Sequence, residues 1–225
     1  MKPNLRIAIW ENYFEGKSTY LTEVKPFLDL MIAITLLVIT SPILILIALG
    51  IKLHSPGPVF YRQQRVGKDG KPFEMLKFRS MRVNADQQLH QQYVKSLIQN
   101  NTHPEALGKE TLKITFDPRI TGLGKVLRGF GLDELPQLIN VIRGEMSIVG
   151  PRPSLLYEYE EYQPWHKQRL AVLPGITGLW QVTAHNKVPF DEMVQIDLDY
   201  IRNLNFFLDC KIMVLTPLEM LRKKG

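Results

Sequence analysis

With 225 residues, 45% of them apolar and 22% charged, the chain has the composition of a globular domain of ordinary size, with room for an appendage. A single cysteine, Cys210, excludes an intramolecular disulfide, and no cysteine–histidine cluster has the spacing of a zinc site. The net charge of +6 asks for an anionic partner: nucleic acid, acidic lipid or a phosphorylated substrate. Its location narrows the choice. Eight basic residues (Lys52, Arg62, Arg65, Lys68, Lys71, Lys77, Arg79, Arg82) face two acids, Asp69 and Glu74, so this one segment carries eight minus two, the whole excess. It follows directly on the most hydrophobic part of the chain, which favours a membrane surface over DNA.

Residues 1–24 mix charges and aromatics without a sustained period and read as an N-terminal arm. They do not read as a secretory signal, because Glu11, Glu15 and Glu23 precede the apolar run and no small-residue cleavage site follows it. From Leu30 to Ile51 there are 22 residues without a charge, enough for a bilayer crossing. Ser41-Pro42 falls in the middle, where a proline removes a helical hydrogen bond and predicts a kink or reversal. Each arm is then about 10 residues, or about 15 Å, half of a hydrocarbon core of about 30 Å. Lys25 precedes the run and the basic cluster follows it, so the positive-inside rule puts both ends on the cytoplasmic side. A re-entrant helix–break–helix over 25–53 is the expectation, with a kinked crossing helix as its alternative. A buried core helix is the weakest reading, since so long an uncharged run is rare in a domain this size.

After a turn-rich exit (His54-Ser55-Pro56-Gly57-Pro58), two strand-like runs, 59–62 and 72–79, flank Lys68-Asp69-Gly70-Lys71, and Asp-Gly predicts a hairpin. In the second run Glu74, Leu76 and Phe78 share one face; Met75, Lys77 and Arg79 take the other, as a solvated face or as a cationic strand lining an anion site. Residues 84–116 read as an insertion holding one short amphipathic helix (Leu89, Val94, Leu97, Ile98). The Gly-x-Gly at Gly122–Gly124 is too short for a dinucleotide fingerprint.

The central stretch is GLDELPQLINVIRGEMSIVGPRP, residues 131–153. Leu135, Leu138, Ile139 and Ile142 recur at helical spacing, and Pro136 suits a first turn, so Asp133 and Glu134 lie at or just before a helix N-terminus. On spacing alone Asp133 reads as a helix cap. The stretch ends in a stiff turn, Gly150-Pro151-Arg152-Pro153, that sets one arginine on a rigid frame. Beyond it, 156–169 is expected to be helical with interfacial aromatics (Tyr157, Tyr159, Tyr162, Trp165), and 173–182 is a turn into a strand. Residues 190–201 keep a helical period, and the apolar tail 206–224 is either a core helix or one lying among headgroups.

A membrane anchor, basic residues at its base and an acid pair at a helix start suit a phosphate-bearing substrate reacting with a partner held in the bilayer. A carboxylate can attack phosphorus and form an acyl phosphate, provided cations neutralise the charge that develops. Lys77, Arg79, Arg128 and Arg152 are the side-chain candidates, and Mg²⁺ held by carboxylate and phosphate oxygens is the other. Asp133 and Glu134 can divide the labour, one as nucleophile and one as metal ligand.

Five blocks, in order, then carry a resemblance: KPFLDLMIAITLLVITSPILILIALGIKLHSPGPVFYRQQRVG, FEMLKFRSM, RGFGLDELPQLINVIRGEMSIVGPRP, PGITGLWQV and FDEMVQIDLDYIRN. From about Lys25 to the C-terminus the chain resembles the bacterial sugar transferases, the monotopic phosphoglycosyl transferases that move a sugar phosphate from a UDP-sugar to a polyprenyl phosphate. The resemblance implies that Asp133 is the nucleophile and that Glu134 supports Mg²⁺ and the diphosphate. It further implies that Arg128 contacts phosphates, that Pro151-Arg152-Pro153 sits against the nucleotide, that Lys77 is the basic position of its block, and that Ser41-Pro42 is the membrane-helix break. Three departures from the family pattern stand out: Phe130-Gly131 where Thr-Ser is usual, Glu145 where Asp is usual, and Thr183-Ala184-His185 where Ser/Asn-Gly-Arg is usual. The last replaces a permanent cation by His185 in a loop expected to touch sugar or diphosphate.

The expectation is a mixed α/β, mostly helical protein: an arm (1–24), a re-entrant helix (25–53) and a cytoplasmic transferase domain with amphipathic interfacial helices (54–225). Its expected partners are a UDP-sugar, polyprenyl phosphate, membrane phospholipid and Mg²⁺, at the cytoplasmic face of a bacterial inner membrane. No nucleic-acid partner is expected, and a homo-oligomer is left open. The chain reads as a short form carrying only the catalytic region. The alternative is an inactive membrane module that recruits a glycosyltransferase.

Overall fold

The computed structural model describes residues 19–82, 88–101, 119–184 and 188–222. The expected arm therefore lies almost wholly outside the described residues. A π-helical turn, Tyr20–Val24, runs into a 30-residue helix α1, Lys25–His54, which is long and apolar enough to cross a membrane. The expected break at Ser41-Pro42 does not interrupt it: α1 is continuous. Pro42 has no N–H for the Val38 carbonyl, but the Ser41 hydroxyl donates to that oxygen at 2.8 Å, and Thr40 Oγ1 donates to Leu36 O at 2.6 Å. Ser41 thus covers the gap left by the proline.

Both ends of α1 rest on the same domain. Near its start Lys25 Nζ lies 2.7 Å from Asp209, while Asp29 accepts from Ser147 Oγ at 2.6 Å and from Ile148 N at 3.2 Å. Near its end Ile47 and Ile51 pack with Phe78 and Leu127. Between them Val38, Ile39, Ile45 and Leu46 stay largely exposed. An apolar surface of that size is left for something other than water.

The hairpin forms as expected, with β1 at Phe60–Val66 and β2 at Pro72–Phe78, and with Asp69 (φ 57°) and Gly70 (φ 75°) both left-handed in the turn. A short β4, Ser154–Leu155, pairs with the other edge of β1; β3, Ser147–Val149, pairs in parallel with β5, Gly175–Thr177. Helices supply the rest: α2 (Gln88–Asn100), α3 (Gly122–Gly129), α4 (Gln137–Ile142), α5 (Leu156–Glu160), α6 (Leu179–Thr183), α7 (Phe190–Asn203) and α8 (Phe206–Arg222). The domain is α/β and mostly helical among the described residues.

Val94, Leu97 and Ile98 of α2 are buried in the main core, so the one helix expected in 84–116 is part of the packed body. Three local expectations need correction. Residues 156–169 are not one helix: α5 stops at Glu160 and a 3₁₀ segment, His166–Ala171, follows, because Pro164 cannot continue the helix. Tyr162 is 6% exposed and belongs to the core rather than to an interface, with Tyr157, Tyr159 and Trp165 packed against it. The run 173–182 is strand only at Gly175–Thr177 and then turns into α6. The tail helix α8 has two sides: Asp209 and Ile212 are buried, while Phe207, Val214 and Leu218 are exposed.

Candidate active site

The two acids occupy a 3₁₀ turn, Leu132–Glu134, entered through Gly131 in a left-handed conformation (φ 65°) that glycine adopts without strain. The N-cap of α4 is Pro136 and that of the 3₁₀ turn is Gly131, so Asp133 holds neither cap position. Asp133 is only 7% exposed. Beside it, Glu134 Oε1 accepts from Lys77 Nζ at 2.7 Å.

The contact between Lys77 and Glu134 is arranged by a fully buried residue, Asn140 on α4. Its Oδ1 accepts from Leu76 N at 3.0 Å and its Nδ2 donates to Glu74 O at 2.8 Å, clamping α4 to β2 on either side of Met75. The same Nδ2 donates to Glu145 Oε2 at 2.6 Å, so that glutamate completes the clamp. Arg128, in the last turn of α3, donates from Nε to Ser80 Oγ at 2.8 Å. Ser80 can hold it there because α3 presses against the chain at Gly124, where a Cβ would stand 2.0 Å from Ser80 O. Lys77 and Glu134 thus meet next to Asp133, while the Arg128 side chain is held on Ser80, three residues beyond Lys77 in the chain.

Arg79 does not join them. It is 6% exposed and donates from Nη1 to Pro56 O (2.8 Å) and from Nη2 to both Ser55 O and Ser55 Oγ (2.7 Å each). Its guanidinium ties down the C-terminal end of α1. Lys77 and Arg79 share a strand face, but Arg79 lies past the last paired residue of β2, where the chain turns toward Ser55.

The Pro-Arg-Pro turn is held at all three carbonyls. Pro151 O accepts from Gly175 N at 2.9 Å, Arg152 O from Arg169 Nη2 at 3.4 Å, and Pro153 O from Arg65 Nη1 at 3.0 Å. Gly150 allows the close approach, since a Cβ there would sit 2.5 Å from Leu173 O. The Arg152 side chain reaches Glu158 at 3.3 Å, and Glu158 also accepts from Leu155 N at 2.7 Å. Burial alone would raise the Glu158 carboxyl, but Arg152, Arg65 and that N–H hold it below its usual range. Arg65 lies within electrostatic range of both Arg152 and Glu134, which connects the turn to the acid corner.

Asn140, Ser80, Arg65, Glu158 and Arg169 were not singled out by sequence reasoning. The only local signal was for Arg65, one of the eight basic residues in and after the end of the long apolar helix. His185 lies outside the described residues. Among the described residues no three His, Cys, Asp or Glu side chains gather as a metal site. The adjacent carboxylates of Asp133 and Glu134 are nevertheless the hard oxygen donors that Mg²⁺ takes one or two at a time, completing its shell from phosphate oxygens and water.

The family model described as bacterial sugar transferase matches residues 20–223. The chain is 42% identical over 193 residues to the galactosyl transferase CpsE of Streptococcus agalactiae serotype III, covering 85% of this chain and 41% of that protein. It is 41% identical over 192 residues to the exopolysaccharide production protein ExoY of Sinorhizobium fredii, covering 85% of this chain and 83% of ExoY. To the UDP-glucose:undecaprenyl-phosphate glucose-1-phosphate transferase of Escherichia coli it is 40% identical over 196 residues, 84% of this chain and 38% of the relative. The chain therefore spans most of ExoY but about two-fifths of the other two.

Proposed function

Because the chain belongs to the bacterial sugar transferase family, we propose that it transfers a sugar 1-phosphate from a UDP-sugar to a polyprenyl phosphate, an initiating membrane step of surface-glycan synthesis. The observation that carries this reading is the acid turn, with Asp133 buried and Glu134 held by Lys77 at 2.7 Å inside a matched family domain.

In this reading the Asp133 carboxylate attacks the phosphorus that bears the sugar. A bond forms between the carboxylate oxygen and phosphorus, the diphosphate P–O bond breaks, and UMP leaves with its electron pair. An oxygen of polyprenyl phosphate then attacks the same phosphorus and returns Asp133 as a free carboxylate. Lys77 and Arg128 bring positive charge to the corner where the negative charge builds up. Glu134 would hold Mg²⁺, which supplies further charge neutralisation on the phosphates.

Packing of both ends of α1 on one domain supports a helix that enters and leaves the bilayer from the same side. A helix crossing to the far side would need one end to part from that domain. With about 45 Å of helix, at about 1.5 Å per residue, and no uninterrupted ladder at Pro42, α1 would bow into the membrane there. The exposed apolar residues of α8 would then lie at the surface, at the cytoplasmic face of the inner membrane.

The test is UMP release by the purified protein with polyprenyl phosphate and Mg²⁺ across a panel of UDP-sugars. Release with one donor, lost in Asp133→Asn, is the expected result, together with a sugar-phosphate adduct on Asp133 seen by mass spectrometry without acceptor. Full activity of Asp133→Asn would overturn the mechanism. Silence of folded protein across the panel would favour the recruiting module.

A further inference from the structure

The segment that leaves β2 serves two places. Lys77 faces the acid turn, while residues 79–82 build a cavity at the C-terminal end of α1. One wall of the cavity is His54, the last residue of α1, with Ser55 and Pro56 of its exit. The other wall carries Arg82, Thr121 and Gly122. Its volume is about 400 Å³, within the about 300–1,000 Å³ of ordinary ligand sites. Both walls are fastened to the one segment. Arg79 donates to Ser55 at 2.7 Å and to Pro56 O at 2.8 Å, Ser80 O accepts from Thr121 N at 3.0 Å, and Arg82 N donates to Arg119 O at 2.8 Å. The shape is therefore set before any ligand arrives.

The charge of this cavity is one-sided. Arg82 and His54 are exposed, and neither side chain has a hydrogen bond or ion pair among the described residues. None of the described lining residues is acidic. The Ser55 hydroxyl accepts from Arg79 and keeps its own proton to donate. The position along α1 fixes the depth. The uncharged run ends at Ile51, three residues before His54, so about 4.5 Å of helix separates the two levels. Leu49 and Leu53, 55% and 88% exposed, leave an apolar surface leading up to the cavity. A lipid with its acyl chains along that surface brings its phosphate level with His54 and Arg82.

We propose that this cavity binds the headgroup of an anionic phospholipid, with the phosphodiester between Arg82 and His54. An anionic headgroup fits better than a zwitterionic one, because no lining carboxylate stands there to meet an ammonium group. The bound lipid would hold the exit of α1 at a fixed depth against the domain. The inference rests on α1 lying in the bilayer, as read above, and assigns no part of the transfer reaction to the cavity.

The test titrates the full chain, purified in nonionic detergent, with dihexanoyl phosphatidylglycerol and dihexanoyl phosphatidylcholine, read by native mass spectrometry. One phosphatidylglycerol should bind saturably, and about tenfold more tightly than phosphatidylcholine. Arg82→Gln should weaken it about tenfold to a hundredfold, as for a lost charge-assisted contact. Lys52→Gln removes the same charge from the same helix end but not from the cavity, and should change affinity less than about fivefold. Gly122→Leu alters no charge. A Cβ there would stand 3.7 Å from His54 Nε2, so the leucine fills the space between the walls and should abolish the selective binding. Equal losses for Arg82→Gln and Lys52→Gln, or full binding by Gly122→Leu, would mean a diffuse basic surface and overturn the site. Displacement of phosphatidylglycerol by farnesyl phosphate would give the cavity to a prenyl phosphate and overturn the phospholipid assignment. Flotation with vesicles after detergent removal separates the remaining failures. Protein that floats but shows no lipid selectivity refutes this site alone. Protein that floats with neither neutral nor anionic vesicles refutes the membrane reading and this inference with it.

Discussion

Lys77 Nζ lies 2.7 Å from Glu134 Oε1, joining β2 to the acid turn across 57 residues of sequence. Both side chains are partly open to solvent, at 22% and 38% exposure, so the pair adds little to stability. In the proposed reaction its value lies in placing a cation beside Asp133 and Glu134. Lys77→Met should therefore cut turnover about a hundredfold, the scale of losing one preorganised charge donor. The same variant should change unfolding free energy by less than about 1 kcal/mol. Denaturant titration beside the UMP-release assay checks both; a large stability loss would make Lys77 a structural residue.

Arg79 should behave in the opposite way. Its three charge-assisted bonds to Ser55 and Pro56 are partly buried, and truncation takes this donor from those acceptors. Arg79→Met should cost about 2–4 kcal/mol, since bonds to charged groups are worth about 1.5–3 each and are not additive. The expected sign is a lower unfolding midpoint and faster protease cleavage at the Ser55–Pro58 exit. An unchanged midpoint would leave the clamp without energetic weight.

Gly150→Ala tests the backbone contact behind the Pro-Arg-Pro turn. The new Cβ would meet Leu173 O at 2.5 Å and Gly175 N at 2.9 Å, both rigid backbone atoms. The expected penalty is about 3 kcal/mol or more, at the upper end for overpacking. Gly144→Ala is the control: its φ is 71°, but nothing lies within 4 Å, so only the conformational cost of about 1 kcal/mol applies. Similar midpoints for the two variants would contradict the close approach.

His166 predicts a pH dependence of stability. Its Nδ1 accepts from Gln163 N at 3.1 Å, so Nε2 carries the proton and donates to Asp191 at 3.0 Å. Burial is the largest influence and lowers its pKa, and Arg169 adds to this, although Asp191 works against it. The unfolded chain thus takes up a proton near pH 6.5 that the folded chain refuses until lower pH. Stability should fall as pH drops through 6.5 and level off below the folded pKa. His166→Gln should flatten that part of the Tm-against-pH profile; a profile with the same slope in both proteins would refute the assignment.

The sequence by itself determined the features that depend on neighbours in the chain. Asp69-Gly70 specified the hairpin because both residues accept left-handed angles. The period of 190–201 specified α7, and the uncharged run specified a long apolar helix. Asp133-Glu134 drew attention through its place in the ordered blocks of the family pattern, since on spacing alone Asp133 reads as a helix cap. Tertiary structure decided what each cation does. Lys77 and Arg79 lie two residues apart on one strand face, yet one meets Glu134 and the other meets Ser55 and Pro56. Their fates depend on which distant segment each end of β2 touches. Arg65 looked like one of eight surface charges until β4 and the Pro-Arg-Pro turn folded over it. Pro42, read locally as a break, is accommodated in a continuous helix because Ser41 takes over the orphaned carbonyl. Periodicity and turn chemistry are local and can be read along the chain. Burial and charge pairing are set by contacts between residues far apart in the chain, and only the folded chain fixes those.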